Sequence, residues 1–365
     1  MVDSLAPAKG GPTVVIHQLA RRQASQGSRV IVVHATRGIV GRQQPEAEGV
    51  EFIWADQPKI ALGAVMASRA NIVHLHGVWD PIVRAVALGC ARVRVPTVIS
   101  SHGMVHPLAL ERSWLKKRAY MAMYPSVFRW PAEWLCLNKE EADWASERLN
   151  VRTTIAPPGI DVSEFDQKTK GAEIQLPPIR AGEKMALFVG RLERVKGLDL
   201  LIDAFRLTRS AINVRLIIAG PDQGELRSLV RQCSHYGLSD RVHFTGLVDS
   251  TRRLQLLRTA SLYVHRPRYE GFGLAVAEAM ASRLPVLTTA ACKLPGAAAS
   301  DALRCVLDDS RTFADQFDLL MEDENERRAL GIRARVWVES NLSWDAVLRI
   351  HSGAYQRAVE ATESR

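Results

Sequence analysis

The stretch His265-Arg-Pro-Arg-Tyr-Glu270-Gly271-Phe272-Gly273-Leu274-Ala-Val-Ala-Glu278-Ala-Met280 directly follows Ala260-Ser-Leu-Tyr-Val-His265, an apolar run that reads as a buried strand. It predicts a strand, then a glycine turn, then a helix. Such a turn offers free backbone N–H groups and the positive end of a helix dipole, which suits a phosphate. Glu270 is expected in the turn and Glu278 about two turns into the helix. Two carboxylates repel phosphate but accept hydrogen bonds from hydroxyls. The expected ligand is therefore a phosphate that carries polyol groups, as a nucleotide sugar does.

Outward from that stretch, strand-like runs alternate with helical patterns, the signature of βα units and parallel sheets. The first half holds Arg29–Ala35, Val50–Trp54, Asn71–Leu75, Thr97–Ser101 and Trp134–Leu137. The second holds Met185–Val189, Val214–Ala219, Val242–Thr245, Ala260–His265, Pro285–Thr288 and Leu303–Leu307. Several are apolar on both faces, as strands covered by helices on both sides must be. Ala156-Pro157-Pro158-Gly159 breaks the two series. The expected domains are 1–159, joined by a C-terminal crossover helix over 345–365, and 160–344. Residues 10–27 read as a glycine loop feeding a helix. A doubly wound domain takes a strand before such a loop, and Met1–Ala8 are not strand-like, so the first strand of the N-terminal domain is expected to be missing.

The 365 residues suit two domains. A hydrophobic content of 47% with 24% charged residues is that of a globular chain. The apolar runs are strand-length and too short to span a bilayer. Five cysteines without a CxxC pair suit a reducing cytosol. The charge of +9 is spread evenly: 19 basic against 14 acidic residues in 1–165, hence +5, and 29 against 25 in 166–365, hence +4. No nucleic-acid arm stands out. Over 112–130, basic residues (Arg112, Lys116, Lys117, Arg118, Arg129) interleave with Trp114, Tyr120, Tyr124 and Phe128 at helical spacing. That pattern suits either the surface of an anionic membrane or a solvated helix face. His74 and His76 share one side of a strand with Asp80 following, a weak metal pattern lacking a third ligand at strong spacing.

Four motifs in this order resemble a retaining glycosyltransferase of family 4. They are Glu270-Gly-Phe-Gly…Glu278, Gly190-Arg191…Lys196-Gly197 after a strand, the Gly10-Gly11 loop, and Ser101-His102-Gly103-Met104 of the exopolysaccharide-type transferases. The resemblance implies the GT-B fold: α/β, with two Rossmann-like doubly wound domains of parallel sheet facing across a cleft. It implies that Arg191 and Lys196 clamp a donor diphosphate without a metal, helped by Gly190 and by the N–H groups near Gly271, Phe272, Gly273 and Leu274. Glu270 would bond donor-sugar hydroxyls, Glu278 the ribose, and His102 the sugar ring from the other domain. Gly10 and Gly11 would let backbone approach the donor, and Gly246 and Leu247 would lie near the base. No cofactor is implied. The expected activity is hexosyl transfer, with retention, from a nucleotide sugar to a glycan or lipid-linked acceptor in cell-surface polysaccharide synthesis, in the cytoplasm or on the inner face of the membrane. A nucleotide-sugar epimerase and a non-catalytic nucleotide- or sugar-binding partner stay open as alternatives. The sequence departs from the family pattern at Arg268, at Arg283 where glycine is common, and at Gly296 where glutamate is common.

Overall fold

The computed structural model describes residues 11–35, 47–111, 113–166 and 182–364. The chain separates into two compact units, Met1–Gly159 with Trp344–Arg365, and Ile160–Ser343. Each is an α/β unit with wholly parallel strand pairing, and the architecture is GT-B.

The second unit shows the construction most clearly. Strands β7 (Lys184–Val189), β8 (Val214–Ala219) and β9 (Val242–Gly246) extend one half of a six-stranded sheet. The chain then returns to lay β10 (Leu262–His265), β11 (Val286–Thr289) and β12 (Arg304–Val306) on the other side of β7. The order is β12-β11-β10-β7-β8-β9. Helices α8 (Leu198–Arg206), α9 (Leu226–His235), α10 (Ser250–Thr259), α11 (Leu274–Ala281), α12 (Ser310–Glu322) and α13 (Glu324–Asn341) connect and cover the strands. Leu216, Ile217, Ile218 and Ala219 of β8 are all fully buried, which explains their unbroken apolar run. Each buried Leu or Ile contributes about 1.5–3 kcal/mol of transfer free energy. The order in which strands are added reverses between β7 and β10. Open parallel sheets bind ligands at such a switch point, beyond the strand C-termini.

In the first unit α1 (Gly11–Ser25) leads to β1 (Val30–His34) and β2 (Val50–Trp54), which pair with each other. After α2 (Pro58–Ala67) come β3 (Val73–His76), α3 (Pro81–Val93), β4 (Thr97–Ser100), α4 (Pro107–Glu111), α5 (Trp114–Met123), α6 (Pro125–Arg129), β5 (Glu133–Cys136), α7 (Lys139–Leu149) and β6 (Thr153–Ile155). β3 to β6 form a four-stranded sheet in sequence order. The stretch in which a first strand was expected to be missing, Met1–Ala8, lies outside the described residues, as does Gly10. The final helix α14 (Trp344–Glu363) belongs to this unit. Arg357 of α14 reaches the fully buried Glu133 of β5 at 2.9 Å, and Trp344 packs with Leu19, Val347 and Leu348.

Two local expectations are corrected. The basic-aromatic stretch 112–130 is not one helix, because Pro125 has no N–H to continue α5 and Tyr124 leaves helical geometry at φ −126°, ψ 56°. Glu278 stands one turn into α11 and not two: the helix begins only at Leu274, after Gly273 at φ 84°.

Candidate active site

The loops that follow β7 and β10 meet at the switch point of the second unit. Gly190 directly follows β7 and donates its N–H to Ala219 O, and a side chain at Gly220 would collide with Gly190 O, so only backbone fits there. Arg194–Lys196 form a single 3-10 turn closed by Gly197 at φ 62°. A Cβ on Gly197 would lie 2.2 Å from Arg266 O, so this position requires glycine both for its conformation and for its close approach. Arg268 N donates to Val195 O at 2.9 Å, and the Arg268 guanidinium grips Asp199 with two contacts of 2.6 Å. Arg268, a departure from the family pattern, thus fastens one loop to the helix that follows the other.

Glu270 is fixed by its backbone as well as its side chain. Its N–H donates to Ala291 O at 2.9 Å and its carbonyl accepts from Lys293 N at 2.8 Å. Its carboxylate pairs with Lys196 at 2.5 Å and contacts His265 Nε2 at 3.4 Å. Burial alone would raise the Glu270 carboxyl, but the His265 contact and the Lys196 charge outweigh it and hold the group well below the usual carboxylate range. Glu278 behaves oppositely: burial raises it, and its ion pair with Arg253 of α10 offsets this only in part. Arg191 is half exposed and pairs with Glu193 at 2.9 Å. Gly271, Phe272 and Gly273 precede α11, whose first residue is Leu274, and Phe272 is buried. Gly246 turns at φ 69° at the end of β9, and Leu247 beside it is 76% exposed.

The structure therefore gathers Arg191, Lys196, Gly190, Glu270 to Leu274 and Glu278 onto the loops and helix start of one sheet end. His102 and Gly11 belong to the first unit. Gly11 is the first residue of α1 and not part of a loop before it. His102 follows β4 in left-handed conformation (φ 51°), and its Nε2 lies 3.0 Å from His76 Nδ1, with the two rings stacked. Beside it His74 bonds Tyr355 of α14 and Ser100, each at 2.8 Å. Burial lowers the pKa of all three histidines, that of His102 to about 4, so the cluster is neutral at pH 7. Asp80 caps α3 through Ile82 N at 2.7 Å, and among the described residues no group of three or more His, Cys, Asp or Glu is arranged to hold a metal ion.

The sequence pattern gives no role to Arg253, and none to His265 although it ends the strand that leads to Glu270. The only signal for His265 was a histidine ending an apolar strand five residues before Glu270. Arg253 gave no signal, because its partner lies 25 residues away.

Residues 170–337 match the family model of glycosyl transferases group 1, and residues 9–164 that of glycosyltransferase family 4. Both halves of the chain are glycosyltransferase domains. The chain is 28% identical over 218 residues, 59% of its length, to a D-inositol 3-phosphate glycosyltransferase of Mycolicibacterium smegmatis, and 33% identical over 157 residues (40% of its length and 34% of the relative) to a mannosylfructose-phosphate synthase of Agrobacterium fabrum. It spans about half the length (49%) of the first of these. Among solved structures it resembles Anabaena HepE in complex with UDP and glucose, at 18% identity and a TM-score of 0.72, covering 100% of this chain and 98% of that one. A glycosyltransferase from Rickettsia africae gives 14% identity and a TM-score of 0.77, covering 98% and 97%. These two likenesses carry the fold. No helix among the described residues is long and apolar enough to cross a membrane.

Proposed function

We propose that this glycosyltransferase moves a hexose, with retention of configuration, from a nucleotide sugar to a glycan or lipid-linked acceptor, in cell-surface polysaccharide synthesis. The observation that carries the reading is the Lys196–Glu270 pair at the sheet's switch point, with Arg191 on the same loop. A diphosphate with its attached sugar offers both partners a better arrangement: phosphate oxygens for Lys196 and Arg191, hydroxyls for Glu270. Cations fixed beside the leaving phosphate stabilise the charge that grows as the glycosidic bond breaks. In this reading the chemistry needs no metal and no protein nucleophile, because the leaving phosphate oxygen takes the acceptor's proton on the face that the acceptor attacks. Glu278 holds the ribose, and His102, neutral and fixed by His76, orients the sugar.

The test is product analysis with a panel of UDP-, GDP- and ADP-sugars. A product whose anomeric configuration matches the donor, formed equally with and without a chelator, is expected. An inverted product, or activity abolished by the chelator, overturns the mechanism. Epimerised nucleotide sugar formed without acceptor would assign the same site to an epimerase.

A peripheral contact with anionic lipid belongs to the same proposal. No side chain of α5 is buried, and its surface combines Lys116 and Arg118 with the exposed Trp114, Leu115 and Met123. A lipid-linked acceptor would be met at such a surface, on the cytoplasmic side of the membrane.

A further inference from the structure

The two groups that hold Glu270 touch the same oxygen. Lys196 Nζ and His265 Nε2 both contact Oε2, so Oε1 is the oxygen that can accept from an incoming hydroxyl. The His265 side chain is only 3% exposed, and its ring lies against Phe188 with centroids 5.5 Å apart. Its Nδ1 is buried with no hydrogen-bond partner among the described residues. A protonated ring would bury an N–H there without an acceptor, which is unfavourable. A neutral ring with its proton on Nε2 buries only a lone pair. Burial lowers the pKa of His265 despite the opposing pull of Glu270, which agrees with the neutral form. His265 is thus a rigid, uncharged ring whose Nε2 lies 3.4 Å from Oε2.

A bound diphosphate acts on the two donors differently. Lys196 is a cation on a flexible stem, and phosphate competes with Glu270 for it. His265 has no charge to offer phosphate and is fixed by its packing. We propose that His265 is a positioning residue, whose Nε2–H keeps Glu270 in place when Lys196 turns to the diphosphate, so that Oε1 stays directed at the sugar hydroxyls. This rests on the donor-binding reading above and adds a specific partner to it.

Calorimetry on the full chain with UDP and UDP-glucose, and with GDP and GDP-mannose, tests both. The sugar-dependent gain in affinity is the quantity to follow. In His265→Leu, affinity for the nucleoside diphosphate should stay within about twofold while affinity for the sugar nucleotide falls about three- to tenfold, the worth of one hydrogen bond. His265→Gln places an amide N–H near the Nε2 position and should recover the sugar-dependent affinity to within about threefold. His265→Asn reaches only the Nδ1 position and should behave as Leu does, which covers the case of a Leu variant that does not fold. Equal weakening of diphosphate and sugar nucleotide, or a Gln variant no better than Asn, overturns the assignment of His265. A wild-type chain that binds none of the four probes overturns the donor-binding reading, and this inference with it.

Discussion

The two units gather polar groups at the ends of parallel strands, but they do so in opposite electrostatic states. In the first, His76 bonds His102 and His74 bonds Tyr355 and Ser100, and desolvation keeps the three rings neutral at pH 7. In the second, Lys196, Glu270, Arg253 and Glu278 are paired as ions. Neutral rings tolerate burial and keep a fixed geometry, which suits orienting a sugar. Ions paired beside a surface loop retain charge that a ligand can recruit, which suits a diphosphate. In the proposed function, the charged work would fall on the second unit and the positional work on the first.

The largest expected effect breaks or sustains that division directly. Lys196→Ala should lower the rate of sugar transfer about 10²–10³-fold, the usual loss on removing one stabiliser of developing negative charge. Arg191→Ala, half exposed, should cost less. Turnover near wild type in both would move the charged work elsewhere. Next, Gly197→Ala puts a Cβ 2.2 Å from Arg266 O in left-handed backbone, and should destabilise the second unit by about 1–3 kcal/mol. An unchanged unfolding midpoint would show that the two loops are not locked together.

Acid sharpens the contrast between the units. His74, His76 and His102 have folded pKa values below the unfolded 6.5, that of His102 at about 4, so the unfolded chain binds more protons as pH falls below 6.5. Their contribution to stability is complete above 6.5 and is lost as pH falls through the window from 6.5 to the folded values. The second unit offers His265 alone of such buried histidines among the described residues, and its Glu270 keeps its charge throughout the window. Hydrogen exchange should therefore show β3 and β4 losing protection at pH 5 before β7 and β10 do. The reverse order would refute the neutral cluster. The smallest effect concerns the surface of the first unit: Lys116→Glu and Arg118→Glu should each weaken binding to phosphatidylserine vesicles by about 1 kcal/mol or more. Binding that ignores both changes would remove the lipid contact.

Much of the fold was legible, because parallel strands covered on both faces must be apolar throughout, as Leu216 to Ala219 are. The glycines were legible too, since few other residues adopt the backbone of Gly197 or Gly273. Arg283 is the instructive exception: it takes φ 59° at the end of α11, where glycine is favoured, and is tied to Asp166 at 3.1 Å. Nothing local announces that pairing. The break of 112–130 into α5 and α6 was announced by Pro125, yet the basic-aromatic spacing concealed it.

The sequence alone determined which residue types stand at the strand ends, because periodicity, glycine conformation and burial act over a few neighbouring residues. Only the tertiary structure decided their partners. That Lys196 meets Glu270 across 74 residues, Arg253 meets Glu278 across 25, and His76 meets His102 across 26 follows from which strands the sheet sets side by side. Charge and hydrogen bonding act through distance in space, and a linear chain does not fix that distance until its strands have paired.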